Sequence, residues 1–192
     1  ALYRKTQPHQ GFQLLKQLAE QLNVPYFVFT SNVDGQFQKA GFDPKFIYEC
    51  HGSIHHIQCL DACTNEVETS DTLKPQINSD SCQWLGNLPK CLECGGLMRP
   101  NILMFNDATW ISTQSDQQEK RLKNWLNQYR SPLVIEIGAG TAIPSVRIFS
   151  EQFSPHLIRI NPREAKVAKN GGMSLSHTAL NAISLIFNVL TT

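Results

Sequence analysis

The sequence predicts an α/β protein: a parallel sheet covered by helices, interrupted by a small metal-held insert. Three observations carry this expectation. Short apolar runs rich in β-forming residues alternate with stretches of helical periodicity. Three strand runs end in polar or glycine-rich turns, Thr30-Ser-Asn-Val-Asp34, Gly138-Ala-Gly-Thr141 and Asn161. Ligands of parallel sheets gather at such carboxyl ends of strands. Between the first strands and the later ones the chain changes texture, becoming rich in Cys, Asn, Asp, Ser and Pro, and carries two close cysteine pairs, Cys59/Cys63 and Cys91/Cys94.

Taken in order, Gln10 to Leu22 places Phe12, Leu14, Leu15, Leu18, Ala19 and Leu22 on one helical face, and Pro25 ends that helix. Tyr26 to Ser31 reads as a buried strand and Asn32-Val-Asp-Gly35 as the turn after it. Phe46 to Cys50 is a second strand that runs into His51. Gly52 to Pro100 has no sustained periodicity and reads as a subdomain held by metal rather than by its own core. Gln117 to Tyr129 then puts Leu122, Trp125, Leu126 and Tyr129 on one stripe. Pro132 to Ile137 and His156 to Ile160 are strands flanking a helix from Ser145 to Phe153, and a last helix spans Leu175 to Leu190.

At 192 residues and 41% hydrophobic composition, the chain suits one domain with a small subdomain. A net charge of +1 gives no electrostatic footprint for nucleic acid or a membrane surface. No apolar run reaches the roughly 18 residues of a membrane span. The opening Ala1-Leu-Tyr-Arg-Lys is neither a signal peptide nor an initiator methionine, so the chain reads as a piece whose beginning is absent. Six cysteines are compatible with disulfides, but pairs this close read better as metal ligands in a reducing compartment, the cytoplasm.

Four thiolates, from Cys59, Cys63, Cys91 and Cys94, fill a tetrahedral zinc shell and leave no open position, which makes the metal structural. Cys82 is a substitute ligand to weigh, and Cys50 reads as a buried small hydrophobe. His51, at a strand end before Gly52, is either a general base near neutral pH or a hydrogen-bonded structural histidine; His55 and His56 read as surface histidines of the insert. Asn32 and Asp34 are ordinary turn residues when taken alone. Gly138-Ala-Gly140 lets a backbone approach a phosphate, though so short a pattern is common.

In sequence these pieces run Pro8-His9, Thr30-Ser-Asn-Val-Asp-Gly35, His51-Gly52, Cys59 and Cys63, Cys91-Leu-Glu-Cys-Gly-Gly-Leu-Met-Arg-Pro100, Phe105-Asn-Asp107, Gly138-Ala-Gly140 and Ile160-Asn161. That order and spacing resembles the sirtuin family of NAD-dependent protein deacylases, from about Pro8 to Leu190. The resemblance implies a Rossmann-like NAD-binding domain, 1–51 with 103–192, and a structural zinc subdomain, 52–102. NAD and an acyl-lysine peptide would meet in the cleft between them. Thr30, Ser31, Asn32 and Asp34 would line the nicotinamide and ribose pocket. Gly138, Ala139 and Gly140 would lie against the adenosine half. Asn161 would contact the adenine ribose, with Arg163 a nearby candidate. His51 and Asn32 would be catalytic, His51 taking a proton from the ribose hydroxyl system after the acyl oxygen has displaced nicotinamide. Products would be free lysine, nicotinamide and O-acyl-ADP-ribose. The peptide would add as a strand near Met104-Phe-Asn-Asp107.

Departures from the family pattern are Ser31 in place of Gln, Phe105-Asn106-Asp107 in place of Phe-Gly-Glu, and Gly138-Ala139-Gly140 in place of Gly-Thr-Ser. The family's first Gly-rich loop, with its Asp-Phe-Arg segment, would precede Ala1. Two other functions are compatible with the same residues: an NAD glycohydrolase or ADP-ribosyltransferase on this scaffold, and a non-catalytic zinc-containing binding module.

Overall fold

A computed structural model describes residues 2–168 and 171–191. A short helix α1 (Leu2–Lys5) leads into α2 (Gln10–Gln21). His9 caps α2, its Nδ1 accepting the Gly11 N–H at 3.0 Å and satisfying one of the free donors of the first turn. Strand β1 (Val28–Thr30), helix α3 (Gln36–Lys39), a 3-10 turn at Pro44–Phe46 and strand β2 (Ile47–Glu49) follow. Strands β3 (Gly52–Cys59), β4 (Val67–Thr69), β5 (Gln76–Ile77), β6 (Trp84–Leu85) and β7 (Met98–Ile102) make up the insert. The chain ends with α4 (Thr113–Gln128), β8 (Val134–Ile137), α5 (Ser145–Glu151), β9 (Leu157–Ile160), β10 (Met173–Leu175) and α6 (Ala179–Leu190).

The parallel strands pair in two groups, β2 with β1 and β10-β9-β8, rather than as the single sheet the alternation suggests. Side chains unite the groups where backbone bonds do not. Leu15 of α2 packs both on the cluster of Ala40, Phe42 and Ile47 and on that of Ile160, Ala182 and Ile183. On the opposite face Phe29 of β1 stacks on Phe149 of α5, ring centroids 4.3 Å apart. Each fully buried Ile or Phe in such a core stabilises by roughly 1.5–3 kcal/mol.

The insert departs from the expectation of an unpatterned segment. It holds an antiparallel sheet in the order β4-β3-β7, plus the β5-β6 pair. The strand pattern is hidden because the buried positions include polar residues with dedicated partners. Gln58, fully enclosed, accepts from Asn101 Nδ2 at 2.8 Å and from the Ile111 N–H at 3.0 Å. The last helix starts at Ala179 rather than Leu175, because Met173–Leu175 finds β9 as a parallel partner. Helix α4 starts earlier than its apolar stripe, and the Ser112 hydroxyl donates to Asp116 at 2.7 Å in its first turn. Among the described residues no helix is long and apolar enough to cross a membrane.

Candidate functional site

The site is built at the carboxyl ends of β1, β2 and β8. After β1, Thr30 Oγ1 accepts the Asn32 N–H at 3.1 Å and Asp34 Oδ1 accepts the Gln36 N–H at 3.2 Å. These local bonds shape the turn that leads into α3. Gly35 carries φ +68°, and a Cβ there would lie 2.8 Å from the His55 ring. Thr30 is buried, Ser31 and Asp34 are half-buried and Asn32 is exposed.

His51 follows β2. Its backbone carbonyl accepts the Leu103 N–H at 3.0 Å, fixing it to the strand end of β7. Its Nε2 lies 3.1 Å from Ser145 Oγ, and the nearby Ser31 backbone carbonyl pulls the ring pKa up. Burial holds its pKa below the ordinary histidine value, against the opposing pull of that carbonyl. The ring is therefore neutral at pH 7, as a base must be. Glu49 anchors the same strand to α4: its carbonyl accepts from Ser115 at 2.8 Å and its N–H donates to Gln118 at 2.9 Å. Burial raises the pKa of the Glu49 carboxyl.

A cavity of about 380 Å³ opens beside His51, walled by Phe29, Tyr48, Leu103, Ser145 and Phe149 among others. Cys50 also lines it, half-buried rather than buried, and desolvation pushes its thiol up to about 11.

The turn after β8 is braced from β9. Gly138 takes φ +68°, and a Cβ there would meet nothing within 4 Å, so one face of the turn is open. The Ala139 carbonyl accepts from Asn161 Nδ2 at 3.1 Å and from Arg147 Nη2 at 3.0 Å. Glu164 takes the Thr141 N–H at 3.1 Å and the Thr141 hydroxyl at 2.7 Å. Those bonds hold the Glu164 pKa below its usual range. Arg147 Nε is enclosed without a protein partner beside this turn. An open glycine turn at a strand end, with a cation nearby, fits a nucleotide. Arg163 is exposed, its N–H donating to Asn161 Oδ1 at 2.9 Å.

The four cysteines converge. Their sulfurs all lie within 4.8 Å of one another, Cys59–Cys94 at 3.6 Å and Cys63–Cys91 at 3.5 Å. Tetrahedral Zn²⁺ at about 2.3 Å from each sulfur requires separations near 3.8 Å. The Gly96 N–H donates to Cys94 Sγ at 3.3 Å, which stabilises a thiolate. Backbone N–H groups, chiefly that of Cys63, bring the Cys59 thiol down to about 7, while its neighbours push Cys63 up. A divalent cation would relieve that crowding, so the quartet fits zinc. Cys82 stands outside it, exposed, with its sulfur near the Ser79 carbonyl. Strand β3 separates the quartet from His51: Gly52 pairs with Ile102 and Cys59 with Met98, four steps along β7, which is roughly 13 Å. The metal is thus too far away to polarise anything at His51.

The structure brings Ser31, His51 and the start of α5 together, while Asn32 and Asp34 make only local turn contacts among the described bonds. Sequence reasoning missed Ser145, Glu164 and Arg147. Glu164 sits three residues after Asn161, a spacing that signals a turn but not its target. Near the expected peptide path, Asp107 pairs with Arg99 at 2.8 Å and leaves Met104 and Phe105 exposed.

Residues 1–129 match the model of the Sir2 family. The chain is 26% identical over 191 residues to the NAD-dependent protein deacylase of Aquifex aeolicus, covering 98% of this chain and 72% of that protein. It is 31% identical over 140 residues to the NAD-dependent protein deacetylase of Saccharolobus solfataricus, covering 72% of this chain and 48% of that protein. A solved Sir2 homolog–NAD complex superposes with a TM-score of 0.69 at 21% identity, over 98% of this chain and 67% of the other. A Sir2 bound to acetylated peptide superposes at 0.67 with 18% identity, over 97% of this chain and 72% of the other. At such identities the two superpositions establish the fold.

Proposed function

Because the chain belongs to the Sir2 family, we propose that it is an NAD-dependent protein lysine deacylase. The observation that carries the reading is the neutral His51, joined at Nε2 to Ser145 of the helix that follows the open turn of Gly138 to Gly140. Relatives named as NAD-dependent deacylases support it.

When bound, NAD supplies the ribose carbon that takes the acyl oxygen as nicotinamide departs. Asn32, Asp34, Thr30 and Ser31 would line the nicotinamide ribose. Gly138, Ala139 and Gly140 would lie against the adenosine half, and the Asn161 brace keeps their backbone in place. His51 would hold the proton released from the sugar hydroxyl at Nε2. An acyl-lysine peptide would add as a strand near Met104 and Phe105, with its side chain directed towards His51. In the same reading 1–51 with 103–192 form the nucleotide domain and 52–102 the zinc subdomain. Zinc on Cys59, Cys63, Cys91 and Cys94 would anchor that subdomain and take no part in the chemistry. Six free thiols accord with a reducing, cytoplasmic setting.

The test is nicotinamide release with and without an acetyl-lysine peptide. Peptide-dependent release that His51→Ala abolishes supports deacylation. Release that ignores the peptide moves the assignment to an NAD glycohydrolase, and no release by a well-folded, zinc-loaded protein moves it to a binding module.

A further inference from the structure

We propose that Ser145 is a positioning residue for His51: its hydroxyl donates to Nε2 and fixes the imidazole as the tautomer whose lone pair faces the cleft. The inference rests on the deacylase reading for its catalytic consequence, but the contact itself is independent of it.

The two residues are 94 positions apart and 3.1 Å from each other at Oγ and Nε2. His51 leaves the end of β2, whereas Ser145 opens α5 just after the glycine turn of β8. Those strands belong to the two groups that share no backbone bond. The contact therefore ties the catalytic histidine to the element that would carry the nucleotide.

Chemistry sets the direction of the bond. A base needs its lone pair on the nitrogen that faces the ligand, and Nε2 is the nitrogen that Ser145 reaches. A hydroxyl can donate, so Ser145 satisfies the nitrogen left with the lone pair. A ring flip or a change of tautomer loses that bond. A ligand hydroxyl arriving at Nε2 takes over the donor position from Ser145, whose side chain needs only a χ1 rotation to release it. The walls around the pair are apolar, Phe29 and Phe149 among them, so water is a poor substitute for that hydroxyl. Titratable neighbours on the same cavity are Tyr48 and Cys50 from β2 and its end, and Glu119 and Lys123 from α4; α5 lines it with Ser145 and Phe149 only.

The test compares Ser145→Ala and Ser145→Thr with the parent protein. Nitrogen-15 NMR of the unliganded protein reads the His51 tautomer and titration. The parent should show Nε2 as the unprotonated nitrogen. Ser145→Ala should mix the tautomers and raise the His51 midpoint, since the bond that favours the neutral ring is gone. Nicotinamide release by Ser145→Ala should fall about tenfold, in kcat more than in KM, with the acidic limb of the pH profile moving up, as expected for one hydrogen bond to the base. Ser145→Thr keeps the hydroxyl and should restore both readouts. A parent His51 protonated on Nε2, or unchanged His51 titration in Ser145→Ala, overturns the proposal. The NMR result holds even if the parent releases no nicotinamide, which would instead overturn the deacylase reading.

Discussion

Asn161 holds the Ala139 carbonyl at 3.1 Å through Nδ2 while its Oδ1 accepts the N–H groups of Arg163 and Glu164 at 2.9 Å each. One buried amide thus fastens the turn after β8 to the turn after β9. This role is architectural, and it precedes any contact with a ribose. Asn161→Ala should cost about 1–3 kcal/mol, the usual consequence of leaving buried polar groups unpaired. Asn161→Asp keeps the acceptor but sets a carboxylate against the Ala139 carbonyl, so it should weaken nucleotide binding while retaining the turn of residues 161–164. Denaturant titration read beside NAD affinity separates the two effects.

Gly52 and Gly138 both have positive φ, +77° and +68°, yet they should respond differently to alanine. A Cβ on Gly52 would lie 2.1 Å from the Asn101 carbonyl oxygen, a backbone atom of the paired strand β7. That carbonyl cannot move without parting β3 from β7. Gly138 has open space, so only the left-handed backbone is penalised, by roughly 1–2 kcal/mol. Gly52→Ala should therefore lose soluble, folded protein and His51 function together. Gly138→Ala should fold with a modestly lowered melting temperature, measurable by calorimetry.

These contrasts also mark what the sequence could disclose. The helix of Phe12, Leu15 and Leu18 and the strands around Val28 and Ile135 were legible because apolar spacing maps directly onto burial. The cysteine quartet was legible because ligand spacing is local. Strand β3 was not, since Gln58 is buried by hydrogen bonding to Asn101 and Ile111 rather than by hydrophobicity. Ser145 and Glu164 were illegible for another reason. Their partners His51 and Thr141 lie 94 and 23 residues away, and a lone serine or glutamate carries no sign of a distant partner.

Zinc should be present at one ion per chain and removable only with loss of structure in the insert. The quartet joins the far end of β3 to the turn before β7, across β-structure with little core of its own. Cys91→Ser should abolish stoichiometric zinc in elemental analysis and lower the melting temperature, with a metal contribution of several kcal/mol. Cys82→Ser should leave the zinc content unchanged.

Acid should loosen the Gly138 to Thr141 turn through Glu164. Its folded-state pKa is held below the usual carboxylate value of about 4.3, first by the Thr141 hydroxyl. A depressed folded pKa means the contribution is fully present above the unfolded value and is lost as pH falls through the folded one. The protection factor of the Thr141 amide, corrected for the intrinsic pH dependence of exchange, should fall in that acid window and be flat at neutral pH. Glu164→Gln should exchange faster at neutral pH and lose the acid dependence.

The deepest electrostatic commitment is Arg159 with Glu136, side chains 2% and 0% exposed. The parallel register of β8 and β9 sets these residues side by side under α5. Nε meets Oε1 at 2.6 Å and Nη2 meets Oε2 at 2.8 Å, a bidentate fork. Ser150 also donates to Glu136, Arg159 Nη2 reaches Glu151 at 2.9 Å, and Nη1 donates to the Lys166 carbonyl at 2.9 Å. Removing one partner leaves the other charge buried and unpaired, which typically costs 3–5 kcal/mol. Replacing both with apolar residues of similar volume removes the desolvation penalty along with the attraction. Arg159→Met and Glu136→Leu should therefore each be severe alone. The double variant should be far milder than their sum, because each loss is mostly the stranded partner. The four proteins of that cycle, unfolded in urea, decide the matter: additive losses would mean that the fork contributes little beyond the packing of its side chains.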